Sequence, residues 1–314
     1  MNQADSMRKK GQINIVLKKQ QQDANPVQSK TFEKVEHTPY QHVERALGEL
    51  VGLHNMKSFL KEVYAWLYLN KRREECGLLP NQQTLHMVFK GNPGTGKTTV
   101  ARLVATLFRE MGVLEKGHLI EAERADLVGE YIGHTAQKTR ELIKKAMGGI
   151  LFVDEAYSLA RGGEKDFGKE AIDTLVKAME DSQHDFVLIL AGYPKEMDRF
   201  LSLNPGLPSR FPLKVTFPNY DADELMTIGE KMLSKRQYRL HPLAKEELNH
   251  ILIHAKSRDE EHFSNGRFIR NLIERAIRSQ AVRILEEEDY GKEALMTLTA
   301  KDMKLAYKKT IEDE

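Results

Sequence analysis

Cysteine is almost missing from this chain: Cys76 is the one thiol in 314 residues. A single cysteine excludes an intramolecular disulfide and any zinc site built on cysteines, and Cys76 reads as an inert thiol in a helical segment. Long apolar runs are missing too. None approaches the roughly 20 residues that a membrane-spanning helix needs. The opening stretch MNQADSMRKKGQINIVLKKQQQ has only INIVL as an apolar core, too short for the core of a secretion signal. The expectation is a cytoplasmic protein without a membrane span. A charge excess is also lacking: 48 Lys and Arg face 46 Asp and Glu, for a net +2. A nucleic-acid or membrane-surface partner usually needs a concentrated basic face, so neither is expected. What is present is an ordinary globular composition, 40% apolar and 30% charged, enough for one or two cores.

Three regions follow from the pattern along the chain. Residues 1–42 are polar, with Gln and Lys clusters around the strand-like QINIVL, and read as an arm that carries one docking strand at most. From residue 43 helical periodicity begins, placing Phe59, Leu60, Val63, Trp66 and Leu67 on one face. After Pro80 short apolar runs alternate with helices: LHMVF, HLIEA, GILFVD, FVLILAG and KVTF are the runs. That alternation predicts an α/β fold with a doubly wound parallel sheet over residues 43–217. Beyond Pro218 strand signals stop, and amphipathic helices predict a helical domain over residues 218–314.

The stretch MVFKGNPGTGKTTVARL carries the chemistry. Phosphate oxygens need donors at close range; glycines let backbone N–H groups surround them, and a helix N-terminus adds its dipole. Gly91, Asn92, Pro93, Gly94, Thr95 and Gly96 form such a loop, between the strand LHMVF and a helix starting at Lys97. Lys97 is placed to neutralise the β- and γ-phosphates, Thr98 to ligate Mg²⁺, and Thr99 to add to the helix start. ATP and Mg²⁺ are the expected cofactors.

A phosphate loop needs a carboxylate at the end of a strand beside it. GILFVDEAYSL supplies Asp154 for the Mg²⁺ shell and Glu155 next to it as general base toward the attacking water. A GTPase would require a D-x-x-G switch after a buried strand and an N-K-x-D base reader. DLVG at Asp126 follows polar residues, and the Asn-Lys at Asn70 precedes the loop and lacks the Asp.

Paired acids after an apolar strand, with a helical domain after the sheet, resemble the AAA+ ATPases over about residues 45–285. LGELVGLHNMKSFL is similar to the segment that lines the adenine pocket in that family, through Leu50, Val51 and Gly52. NPGLPSRF resembles the element ending in the arginine finger, here Arg210, which would complete the site of a neighbouring subunit. NGRFIRNLIERA resembles the sensor-2 helix of the lid. Arg267 is preferred to Arg270 for that role, because Arg270 has Glu274 at i+4 as an ordinary partner. Many relatives place Asn, Thr or Ser after the fourth strand. Here Gly192 and Tyr193 stand there, and the Tyr193 hydroxyl is the remaining candidate.

DLVGEYIGHTAQKTREL holds an aromatic-aliphatic-glycine triple, Tyr131, Ile132 and Gly133. In AAA+ unfoldases the matching loop projects into a ring's pore and grips an extended peptide; the alternative is that Tyr131 packs as core. ARGGEKDFGKEA resembles a second pore loop. Together with LILAGY and FLSLNPGLPSRF, these stretches resemble the CbbX/CfxQ family, whose best-known members remodel inhibited red-type Rubisco. The match is nearest to its sporulation branch. The resemblance implies a homo-hexameric Mg-ATP machine threading a protein client, and does not carry the Rubisco target with it. A slow nucleotide-dependent scaffold and a DNA-directed ATPase stay open beside it.

Overall fold

The computed structural model describes residues 38–312 apart from 82, 132, 163–165, 204–205 and 259. QINIVL, Ile132 and the middle of the second candidate pore loop therefore lie outside the described residues. Helix α1 (Thr38–Gly48) begins within the segment read as a polar arm, burying Val43 and Leu47. Helix α2 (His54–Glu75) buries Met56, Leu60, Val63 and Tyr64. Trp66 sits instead in a surface groove with Leu69, Leu79 and Pro80.

Five parallel strands form the sheet: β1 (Met87–Gly91), β2 (Leu119–Ala122), β3 (Ile150–Val153), β4 (Val187–Gly192) and β5 (Leu213–Phe217). Their spatial order is β2-β3-β4-β1-β5. Met87 stands opposite Ile189 on one side and Leu213 on the other. All residues of β3 and β4 are buried, as expected of parallel strands covered on both faces.

Side-chain alternation divides the core. Phe89, Phe152 and Ile189 face α1, α2 and α3 (Lys97–Glu110), in a cluster that continues into the C-terminal helices. Val88, Leu151 and Leu188 face the other layer. That layer is built from α4 (Arg124–Leu127), α5 (His134–Ala146), a 3₁₀ turn (Ala156–Ala160), α6 (Gly168–Asp181), α7 (Pro194–Leu203) and α8 (Leu207–Arg210).

The C-terminal part opens on a capping box. The Asp221 carboxylate accepts the Glu224 N–H at 2.7 Å, and the Glu224 carboxylate accepts the Asp221 N–H at 2.9 Å. Helix α9 (Ala222–Lys235) follows, and after it come α10 (Pro242–Arg258), α11 (Asn265–Glu287), α12 (Lys292–Met296) and α13 (Ala300–Glu312). Strands do not stop at Pro218, contrary to the sequence expectation: β6 (Arg239–Leu240) pairs in parallel with β7 (Thr297–Leu298). Two residues are too few for an alternation to register in sequence. Arg283 of α11 clamps the buried Asp302 of α13 at 3.0 and 3.1 Å, and Thr299 donates to the same carboxylate twice at 2.8 Å.

Candidate functional site

The loop after β1 bends through Gly94 (φ 71°) and Gly96 (φ 96°), a left-handed backbone that glycine adopts without strain. No side chain caps α3, so the N–H groups of its first turn are open to an anion. Lys97 is 9% exposed, and its Nζ donates to the carbonyls of Gly91 at 2.8 Å and Asn92 at 3.0 Å. An ammonium has three donors, so one is left to meet a phosphate oxygen. Burial pulls the Lys97 pKa down, and Asp154 opposes that pull.

Asp154 directly follows β3, and its Oδ1 accepts the N–H of Glu155 at 3.0 Å. Its strand is not beside the loop's strand, as sequence reasoning had it: β4 lies between β1 and β3. Strand order is a tertiary property that no local pattern carries, and the inserted β4 places Gly192 and Tyr193 between the loop and the acids. Glu155 has φ 47° and ψ 41°, a conformation that costs a non-glycine residue on the order of 1 kcal/mol or more and clusters at functional sites.

These groups line a cleft of about 430 Å³. Lys97, Thr98, Thr99, Asp154 and Glu155 form its floor, with Pro93, Gly94 and Gly96 of the loop. Leu50 and Val51 form one wall, while Gly52 (φ 64°) lies behind it against the Glu224 side chain. Gly91, Asn92 and Thr95 belong to the loop without lining the cleft: Thr95 donates to the Asn92 carbonyl at 2.8 Å. Among the described residues no group of three His, Cys, Asp or Glu side chains could hold a metal alone. A Thr98 hydroxyl with the Asp154 carboxylate suits Mg²⁺, which completes its shell with phosphate oxygens and water.

Both lid arginines, Arg267 and Arg270, line the cleft. The expected Arg270–Glu274 pairing is not what engages Glu274, which meets Arg236 at 3.2 Å, a partner too distant in sequence for helix spacing to reveal. Sequence reasoning missed a further wall. Tyr220 and the α9 residues Ile228, Lys231, Met232 and Lys235 also face the cleft. The i, i+3, i+4, i+7 spacing of those four α9 residues marks one helix face, without saying what it faces. The Tyr193 ring meets Tyr157 at 6.0 Å and His262 at 6.5 Å. Burial first, and Glu155 second, raise its phenol above the usual 10, so at neutral pH it can only donate its proton in a hydrogen bond or accept one as a neutral hydroxyl.

Arg210 does not line this cleft. Its Nε bonds the Glu180 carboxylate at 3.1 Å and its guanidinium also reaches the Gly206 carbonyl at 2.6 Å. Tyr131 is 66% exposed rather than core, with its ring against His134 at 5.4 Å; Gly133 (φ 82°) directly precedes α5 as its N-cap. Tyr131 borders a second hollow, of about 940 Å³, that Glu155 also lines.

Residues 87–219 match the ATPase family associated with various cellular activities (AAA), and residues 221–313 match the AAA lid domain. The chain therefore belongs to the AAA ATPases. Within them it groups with stage V sporulation protein K of Bacillus subtilis (strain 168), to which it is 56% identical over 97% of both chains. It is also 45% identical to the chloroplastic ribulose bisphosphate carboxylase/oxygenase activase of Cyanidioschyzon merolae, over 81% of this chain and 87% of that one. The chromosomal protein CbxX of Cupriavidus necator gives 45% over 81% of each chain. A solved structure, the FIGL-1 AAA domain, superposes with a TM-score of 0.58 at 19% identity, covering 83% of this chain and 82% of that one, which shows the shared fold. Membership of this family supports nucleotide binding and hydrolysis in general. No helix among the described residues is long and apolar enough to cross a membrane.

Proposed function

We propose that this chain is a Mg-ATP-dependent ATPase that assembles into a homo-hexameric ring and draws a segment of a protein client through its pore during spore formation. The observation that carries the ring is the separation of Arg210 from its own cleft. That cleft gathers Lys97, Thr98, Asp154, Glu155 and Arg267, while Arg210 is held elsewhere by Glu180. A finger arginine stabilises charge on the transferred phosphoryl, so the missing cation comes from a second copy. Lys97 would hold the phosphates and Glu155 would take the proton from water, while Thr98 and Asp154 would hold a Mg²⁺ ion whose charge would neutralise the phosphates. The exposed Tyr131 offers a peptide a bulky amphipathic grip with little side-chain selectivity. The role in sporulation is supported by the relative at 56% identity.

The test is the solution mass of the Glu155→Gln protein by light scattering, with and without Mg-ATP. A shift with nucleotide to about six times the 36.0 kDa of one chain is expected. A monomer or dimer under both conditions refutes the ring, the shared site and the pore together.

A further inference from the structure

Three asparagine side chains meet behind the phosphate loop, where the chain leaves the sheet at Pro218 to enter α9. The Oδ1 of Asn219 accepts the Asn92 amide at 3.0 Å and the Asn265 amide at 2.9 Å. Its own Nδ2 donates to the Glu260 carbonyl at 2.9 Å. Asn92 belongs to the phosphate loop and Asn265 is the first residue of α11; both are buried, and Asn265 is held at φ 45°. One amide oxygen in the hinge thus takes one donor from each of the two parts that enclose the cleft. Two bonds run beside it: the Gly266 N–H donates to the Gly94 carbonyl at 3.2 Å, and the Tyr220 hydroxyl donates to the Thr95 carbonyl at 3.1 Å. The approach is close enough that a Cβ on Gly94 would stand 2.4 Å from the Ser264 carbonyl oxygen and 2.6 Å from the Arg267 nitrogen.

We propose that Asn219 is a positioning residue that sets the lid, and with it Arg267, against the phosphate loop. The reaction it serves rests on the ATPase reading above; the link itself does not. Removing its oxygen does not strand the other two amides. Asn92 keeps the Glu261 carbonyl at 2.8 Å, and Asn265 keeps the Phe263 carbonyl at 2.8 Å. Buried amides that retain a partner avoid the larger penalty of an unsatisfied donor, so the fold survives while the one acceptor shared by loop and lid is lost. The Asn92–Glu261, Gly94–Gly266 and Thr95–Tyr220 bonds still join the two parts, so the lid is loosened rather than released. A lid held more loosely spends part of its time out of place and must be recruited on binding. If its arranged fraction falls to about a tenth, apparent nucleotide affinity falls about tenfold.

The experiment uses the full chain carrying Asn219→Ala, Asn219→Asp or Asn92→Ala. Spin labels sit on the exposed Cys76, at the end of α2, and on Lys301→Cys in α13. Pulsed electron spin resonance without nucleotide reads the distance between core and lid, and steady-state kinetics reads ATP turnover. Asn219→Asp keeps the shared oxygen but turns a carboxylate oxygen toward the Glu260 carbonyl in place of the donor. It is expected to broaden the distribution and raise KM less than Asn219→Ala. Asn219→Ala is expected to broaden the distribution and raise KM about tenfold, with a smaller change in kcat. Asn92→Ala cuts the loop's bond to Asn219 together with its bond to the Glu261 carbonyl, and is expected to broaden the distribution at least as much as Asn219→Ala. An Asn219→Ala distribution as narrow as the parent's, with an unchanged KM, overturns the proposal. A parent protein that neither binds nor hydrolyses ATP overturns the ATPase reading alone, because the label distances still decide the link.

Discussion

Acid should destabilise this protein through one histidine that no motif points to. His86 precedes β1, is 1% exposed, and packs against Phe186 at 5.7 Å and Phe211 at 6.2 Å. Its Nδ1 accepts the Leu188 N–H at 3.0 Å. A proton added at Nδ1 would set two donors against each other, and a charged ring would lie in a dry core. Burial accordingly lowers its pKa from 6.5 to about 4, with the Met179 backbone as a weaker opposing influence. The folded pKa is depressed, so the stability is fully present above pH 6.5. As pH falls toward about 4, the unfolded chain takes up a proton that the folded chain refuses. At about 1.4 kcal/mol per pH unit, that gap is worth roughly 3 kcal/mol in all, of which about 2 is lost between pH 7 and pH 5. His86→Leu removes this dependence while costing about 1 to 3 kcal/mol at neutral pH for the stranded Leu188 N–H. Urea unfolding of the parent and the variant at pH 7, 6 and 5 measures both. The parent should lose about 2 kcal/mol more than the variant over that range. Parallel pH dependences would refute the reasoning.

Lys97→Ala should abolish binding of a fluorescent ATP analogue, while Glu155→Gln should keep the binding and lose phosphate release by about 100-fold or more. Tyr131→Ala should leave ATPase turnover intact and lose client remodelling once a client is in hand; full remodelling by that variant removes the pore-loop role. Asp302→Ala strips Arg283 of its buried partner and should cost about 3 kcal/mol or more in a urea titration, against little change in KM for ATP.

The five strands and the phosphate loop were legible because each has a local signature. Uniformly apolar runs mark β3 and β4, which are buried on both faces, shorter apolar runs between helices mark the other three, and glycines ahead of Lys97 mark a backbone that must turn sharply. The order of the strands was not, since the place of β4 between β1 and β3 is decided by crossovers rather than by any stretch of residues. The exposure of Tyr131 was suggested by its loop setting but left open, because an aromatic in such a position serves a core equally well in sequence. The partner of Glu274 is 38 residues away, at Arg236, beyond anything helix spacing predicts. The asparagine cluster was invisible for the same reason: residues 92, 219 and 265 fall in three unrelated stretches, and only the fold brings their amides to one oxygen.

The length and attachment of α11 have a mechanical consequence. The helix runs 23 residues, or about 35 Å at 1.5 Å per residue, and touches the phosphate loop only through its first turn. It is pinned to α13 by the Arg283–Asp302 clamp. With its fulcrum at the Gly94–Gly266 contact, a rotation of about 10° sweeps the opposite end through about 6 Å. Gain of that kind would carry the exposed Val282 and Leu285, near the far end, through several ångströms for a sub-ångström change at the first turn.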